Sequence, residues 1–143
     1  MPVKPLKRSV SLVIECPGGI LLVRRPDDDE SLPGLWGLPA ATLRPDESEE
    51  EAVRRAGRSK LGVEARPLNP IGEAQEERSG YRIRMRDWLT TIDAGEPHVP
   101  QPADGTQYDA LRWGDPAELV PTARAGSLCC RVLLRNRGIT WER

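Results

Sequence analysis

Phenylalanine is absent from these 143 residues, histidine occurs once, at His98, and of 21 basic residues only Lys4, Lys7 and Lys60 are lysines. A surplus of one charge is missing too. The net charge of -1 argues against general nucleic-acid binding, because a grip on the phosphate backbone needs an excess of cations. Any anion site must then be local, and arginine, which supplies most of the cations, makes the planar two-pronged contacts that phosphates and carboxylates accept. Long apolar runs are lacking. The longest, such as Ile20 to Val23, are far too short to cross a bilayer, so no membrane partner is expected. The opening MPVKPLKRSVSLVIE has no apolar core of a secretory signal, which makes the cytoplasm the expected compartment. Cysteine is scarce: Cys16 and the adjacent Cys129 and Cys130 form neither an even disulfide framework nor a spaced zinc motif, which leaves reduced, half-buried thiols.

What is present, 38% hydrophobic and 30% charged residues, fits a globular chain with room for one domain, residues 1–143, and a sizeable core. Ser9 to Cys16 and Ile20 to Arg25 are rich in apolar and β-branched residues around a Pro17-Gly18-Gly19 turn, which predicts a hairpin. The acidic run Asp27 to Glu30 reads as a solvated loop, and Trp36 to Pro39 as a short buried strand. Ser48 with Glu51 makes a capping box and Gly62 a C-terminal stop, so a helix is predicted over 48–61. Val63 to Ala74 and Tyr81 to Ile92 read as strands joined by EERSG. Residues 95–106 form a Pro- and Gly-rich loop, Tyr108 to Trp113 a further strand, and Asp115 to Val120 a short helical turn. A final helix runs from Ser127 to Asn136 with Leu128, Val132 and Leu133 as its stripe. Strands mixed with helices predict a two- or three-layer α/β arrangement.

This order, with LWGLP before the capped helix and LRWGDPAEL before the last one, resembles the Nudix hydrolase (MutT-like) superfamily along nearly the whole chain. The resemblance implies a Nudix-like α/β/α sandwich with a mixed sheet and two main helices. The signature of that family is Gly, five residues, Glu, seven residues, then Arg-Glu-apolar-any-Glu-Glu-any-Gly-apolar. In this chain Ala41 falls on the first Gly, Glu47 on the lone Glu and Arg55 on the Arg, while Gly62 and Val63 close the pattern at the correct spacing. Ala56, Ser59 and Lys60 fall on the three remaining glutamates, and Gly57 on the apolar position.

Such glutamates matter because Mg²⁺ takes oxygen ligands in near-octahedral array, and residues three and four apart share one helix face. Bound metal then neutralises a diphosphate and activates water. Exchanging three carboxylates for a methyl, a hydroxyl and an ammonium removes three negative charges and adds a positive one. A nearby ammonium repels a divalent ion by several kcal/mol at an intermediate dielectric. The Mg²⁺ that the family implies is therefore doubtful here. Glu47 and Arg55, by contrast, keep the pair that ties loop to helix in the family, and they are expected to touch. Glu47, Glu50 and Glu51 repeat the Glu-any-any-Glu-Glu spacing nine residues early and are weighed as a shifted metal site, although acids in a first turn also serve the helix dipole.

Ligand-binding candidates are Arg25 at a strand end, Arg58 and Lys60 on the helix, and Trp36, which with Trp88 offers either a stacking surface or core. Glu73, Glu76 and Glu77 are the acids that the sheet would supply to a metal. His98, between prolines, has no identifiable partner as a general base. Three functions stay open. One is a pyrophosphohydrolase with a relocated metal site, acting on a nucleoside diphosphate linked to another group. A second is a module that binds a nucleotide or phosphorylated metabolite without hydrolysing it; RRPDDDESLPGLWGLPA also looks like the opening of the Nudix-like C-terminal domain of adenine DNA glycosylases. The third is a purely structural or regulatory interaction domain. Family members often dimerise, yet no stripe reads as an interface.

Overall fold

The hairpin expected at the start is formed by β1 (Leu6–Cys16) and β2 (Gly19–Arg24), in a computed structural model that describes residues 3–100 and 107–141. Its turn needs glycine at position 19: φ is +152° there, and a Cβ would meet the Gly114 carbonyl oxygen at 2.2 Å. The two strands pair only near the turn, at Cys16↔Gly19 and Glu15↔Ile20, and then diverge. β2 continues between β3 (Trp36–Gly37) and β7 (Ala110–Gly114). β1 continues between β4 (Ala40–Thr42) and β6 (Tyr81–Ala94). The β1–β6 pairing is parallel, from Leu6↔Arg82 to Ile14↔Thr90, whereas β5 (Glu64–Arg78) adds to β6 antiparallel. The sheet is therefore mixed, in the order β3-β2-β1-β6-β5. β5 lies at its edge, where Pro67 and Pro70 remove ladder donors and the register shifts beside both.

Helix α1 (Glu49–Leu61) has both halves of the Ser48–Glu51 capping box, and Gly62 ends it in the left-handed region at φ 66°. Its buried side, Ala52, Val53, Ala56 and Leu61, packs on Val10, Leu12 and Trp88. Burying a Val or Leu side chain stabilises by about 1.5–3 kcal/mol. Gly57 sets the approach, because a Cβ there would lie 2.6 Å from the Cβ of Ala65 on β5. The other sheet face carries Val13, Ile20, Leu22 and Met85 under α3 (Leu128–Asn136), whose Leu133 and Leu134 are fully buried. Helices on both faces complete the expected sandwich.

The departures are local. The helical turn expected at 115–120 becomes a 3₁₀ turn, Pro116–Leu119, that leads into a third helix, α2 (Val120–Arg124). Pro121 is tolerated in its first turn, where no intrahelical N–H is needed. The strand expected at 36–39 stops at Gly37, and β4 follows as a separate strand. EERSG contributes only Ser79 and Gly80 to the turn, because Glu76, Glu77 and Arg78 stay in the β5–β6 ladder. Of the expected loop 95–106, residues 101–106 lie outside the described residues.

Candidate functional site

Before α1 the chain reverses through Asp46, at φ 63°, which brings Glu47 back over the helix. Glu47 Oε2 accepts from Arg55 Nε at 2.8 Å and Oε1 from Nη2 at 2.9 Å, the two-pronged geometry of a strong charge-assisted pair. The Arg44 amide also donates to Glu47, at 2.9 Å, and Arg55 donates to the Thr42 carbonyl at 2.8 Å. The expected contact is thus present. Its guanidinium partner holds the Glu47 carboxyl below the usual glutamate range, against the opposing effect of partial burial.

Lys60 is the buried cation of the site, 4% exposed. It reaches from the last turn of α1 to the Ala40 carbonyl on β4, to which its Nζ donates. The same ammonium lies 5.6 Å from the centre of the Tyr108 ring. Tyr108 takes the other end of that peptide unit's residue, since the Ala40 N–H donates to its hydroxyl at 3.1 Å. Burial pushes the Tyr108 phenol up to about 12. Ala56 packs in the core and Ser59 Oγ is buried without a partner.

Ala40, Arg55, Lys60 and Tyr108 wall one side of a cleft of about 590 Å³ between β1, β4, β6 and the loop before α3. Its lining includes Lys7, Arg25, Arg44, Arg55, Lys60 and Arg78, and no Asp or Glu among the described residues. Ser9, Ile83 and Met85 face it from the sheet, and Leu128 and Cys129 from α3. The Cys129 thiol is pulled down to about 6, first by the Cys130 S–H and then by the Ser127 hydroxyl, 3.5 Å away, with Arg25 nearby. Two residues beyond Met85 on β6, Asp87 is 0% exposed and neither carboxylate oxygen has a well-formed hydrogen bond; burial raises its pKa well above the ordinary value, and the neighbouring Ser11 hydroxyl offsets only part of that.

The other candidates are dispersed. Arg25 lines the cleft and pairs with Asp29 at 3.3 Å. Arg58 does not line it: it is exposed and points to Glu64, 3.5 Å away. Trp36 lies outside it as well, with Arg112 stacked 4.5 Å from its ring and its carbonyl accepting from Thr122. Trp88 is core and donates to Glu49 at 2.8 Å. Glu47, Glu50 and Glu51 do not converge as a shifted metal site. Glu47 is engaged with Arg55, Glu51 closes the capping box and Glu50 is exposed. Glu73 pairs with Arg86, Glu76 with the lining residue Arg78 and with Arg131, and Glu77 with Lys4, and none of the three acids lines the cleft itself. His98 packs over Gly62. Among the described residues, no three His, Cys, Asp or Glu side chains gather so as to hold a metal ion. Lys7, Arg44, Arg78, Tyr108 and Cys129 are the site residues that sequence reasoning overlooked. For Lys7 a signal existed, since strand alternation puts Lys7, Ser9 and Ser11 on one face of β1.

The family model described as NUDIX domain matches residues 5–128. The CTP pyrophosphohydrolase of Escherichia coli strain K12 is 34% identical over 113 residues, which cover 76% of each chain. The solution structure of the E. coli ORF135 protein superposes with a TM-score of 0.73 at 27% identity over 96% of both chains. A crystal structure of a MutT protein from Methanosarcina mazei Go1 gives 0.76 at 19% identity, over 96% of this chain and 97% of that one, a likeness of fold.

Proposed function

This chain belongs to the Nudix domain family, and from that premise we propose that it binds a nucleotide or other phosphorylated small molecule through fixed side-chain cations instead of a divalent metal. The observation that carries this reading is the lining of the cleft, six cationic side chains with no carboxylate among the described residues. A phosphate chain brings several negative charges, and guanidinium and ammonium groups meet them through charge-assisted hydrogen bonds. The relative named CTP pyrophosphohydrolase makes a pyrimidine nucleotide the first ligand to try.

Members of the family use Mg²⁺ or another divalent cation. The donors here do not fit one. Where the signature has three glutamates, α1 offers a methyl, a hydroxyl and an ammonium, and that ammonium is buried on the Ala40 carbonyl. A hard divalent ion would meet repulsion in place of ligands. No hydrolytic step is therefore routed through a metal. The chain's own residues hold and orient: Arg55 and Glu47 fix the loop on α1, Lys60 keeps a positive charge where α1 meets β4, and Ile83 and Met85 give an apolar floor for the nucleoside.

Calorimetry with CTP, other nucleoside triphosphates and their diphosphates, run in Mg²⁺ and in EDTA alongside a phosphate-release assay, tests the proposal. Equal affinity in both buffers, weakening with added salt and without release, is expected. Strictly Mg²⁺-dependent binding or turnover would reject it in favour of a relocated metal site.

A further inference from the structure

The floor of the cleft continues inwards under α3. On β1, Lys7 and Ser9 line the cleft and Ser11 is next on that face; on β6, Tyr81, Ile83 and Met85 line it and Asp87 is next. Ser11 and Asp87 are partners across the parallel ladder. Both are 0% exposed, and neither the hydroxyl nor the carboxyl has a well-formed hydrogen bond. The first turn of α3 stands over them: Cys129, which lines the cleft and is 8% exposed, and Cys130, which is fully buried, face the Asp87 carboxyl. Buried polar groups normally find partners, so a carboxyl left over beside two sulfurs marks the sulfur that opens on the cleft as a place for chemistry.

That sulfur is held ready to attack. The Cys130 S–H, the Ser127 hydroxyl and the Leu38 backbone N–H donate to it and Arg25 lies nearby, which together outweigh burial and pull the thiol down to about 6. The start of α3, with its free N–H groups, favours the anion as well. Asp87 keeps its proton at neutral pH and adds no competing charge. Exposed to a hydroperoxide, a thiolate of this kind becomes a sulfenic acid. Cys130 cannot trap that product while α3 is helical, because adjacent Cα atoms lie about 3.8 Å apart and those of a disulfide about 4.4–6.8 Å. Cys16, at the hairpin turn, is not part of the lining. We propose that Cys129 is a site of oxidation by small hydroperoxides that enter through the cleft, and that its product is a sulfenic acid that persists until a small thiol reduces it. The sulfur bonds to one peroxide oxygen as the O–O bond breaks; sulfur is oxidised, the peroxide is reduced, and the departing hydroxide takes up the proton that the thiol released and leaves as water. The step is independent of the anion that the cleft binds.

Reduced protein treated with hydrogen peroxide at neutral pH in the presence of dimedone, then digested and mapped by mass spectrometry, tests this with Cys16 as the internal reference. Cys129 is expected to take the label about tenfold faster than Cys16, although Cys16 is the more exposed of the two. In denaturing urea that ratio should fall towards one, and Cys129→Ser should lose the fast label altogether. Absence of label at Cys129, or a label that favours Cys16 or is shared equally, overturns the proposal, as does a fast label that moves to Cys130 in Cys129→Ser. A preference undiminished in urea overturns it too, because the folded cleft is then not its cause. A disulfide between Cys129 and Cys130 in the peptide map overturns the persistent sulfenic acid.

Discussion

The indole N–H of Trp88 donates to Glu49 Oε1 at 2.8 Å, and the other oxygen of that nearly buried carboxylate lies 3.5, 3.3 and 3.2 Å from Arg8, Arg84 and Arg86. One acid at the first residue of α1 thus joins the helix to β1 and β6. Glu49→Ala removes the carboxylate from Arg8, Arg84 and the indole donor of Trp88, while Arg86 keeps Glu73 at 2.8 Å. The arginines keep access to water, which places the cost towards the low end for a broken buried pair, about 2–3 kcal/mol. Denaturant unfolding measures it, and Glu49→Gln, which retains an acceptor for Trp88, should lose less.

Gly57→Ala should destabilise although alanine is the better helix former. The propensity gain is about 1 kcal/mol, but the new Cβ would lie 2.6 Å from that of Ala65 and 3.3 Å from the Val63 carbonyl oxygen. Overpacking of this kind costs about 1–3 kcal/mol. The double variant Gly57→Ala with Ala65→Gly should recover most of the loss, so a double-mutant cycle shows strong coupling.

Asp87 makes stability fall as pH rises. Its folded pKa is raised far above the ordinary 3.8, so the folded state keeps a proton that the unfolded chain releases. Below pH 3.8 both states are protonated and the penalty is absent; above it, stability drops by about 1.4 kcal/mol per pH unit until the folded pKa is reached. Cys129 and Cys130 face the same carboxyl. Asp87→Asn removes the titration. Its stability relative to the parent, measured in urea, should increase with pH from about 4 upwards and level off once the raised folded pKa is passed.

Lys60→Glu places a carboxylate against the Ala40 carbonyl, two acceptors facing each other in a buried place. It should lower stability by about 2 kcal/mol, abolish most nucleotide affinity and, unlike the parent, show a melting midpoint that rises on addition of Mg²⁺. A midpoint indifferent to Mg²⁺ would show that one carboxylate at this position gains no ion.

Helix α1 was legible because Ser48, Glu51 and Gly62 act on neighbouring backbone, and the family spacing located Glu47, Arg55 and Lys60 on it. β4 was not. Its three residues, Ala-Ala-Thr, are too few to show alternation, and they are held by β1 and by Tyr108, which is distant in sequence. The cleft escaped for the same physical reason. Lys7, Arg78 and Tyr108 come to line one cleft through the β1–β6, β5–β6 and β2–β7 pairings, which no local signal specifies. Trp36 was misplaced because the ring that could have stacked on a base is covered by Arg112, on a strand far along the chain.

The parallel ladder between β1 and β6 has a consequence for the nascent chain. β1 leaves the ribosome before β6 and can at once close its short hairpin with β2, but its other edge stays bare until Tyr81–Ala94 has been synthesised and has returned alongside. Val10, Leu12, Val13 and Ile14, all buried in the finished protein, wait on that open edge. Contacts of such long range form slowly, and an apolar edge is a template for another chain. Fragments that stop short of β6 should therefore be the forms of this protein most prone to aggregate and most in need of a chaperone.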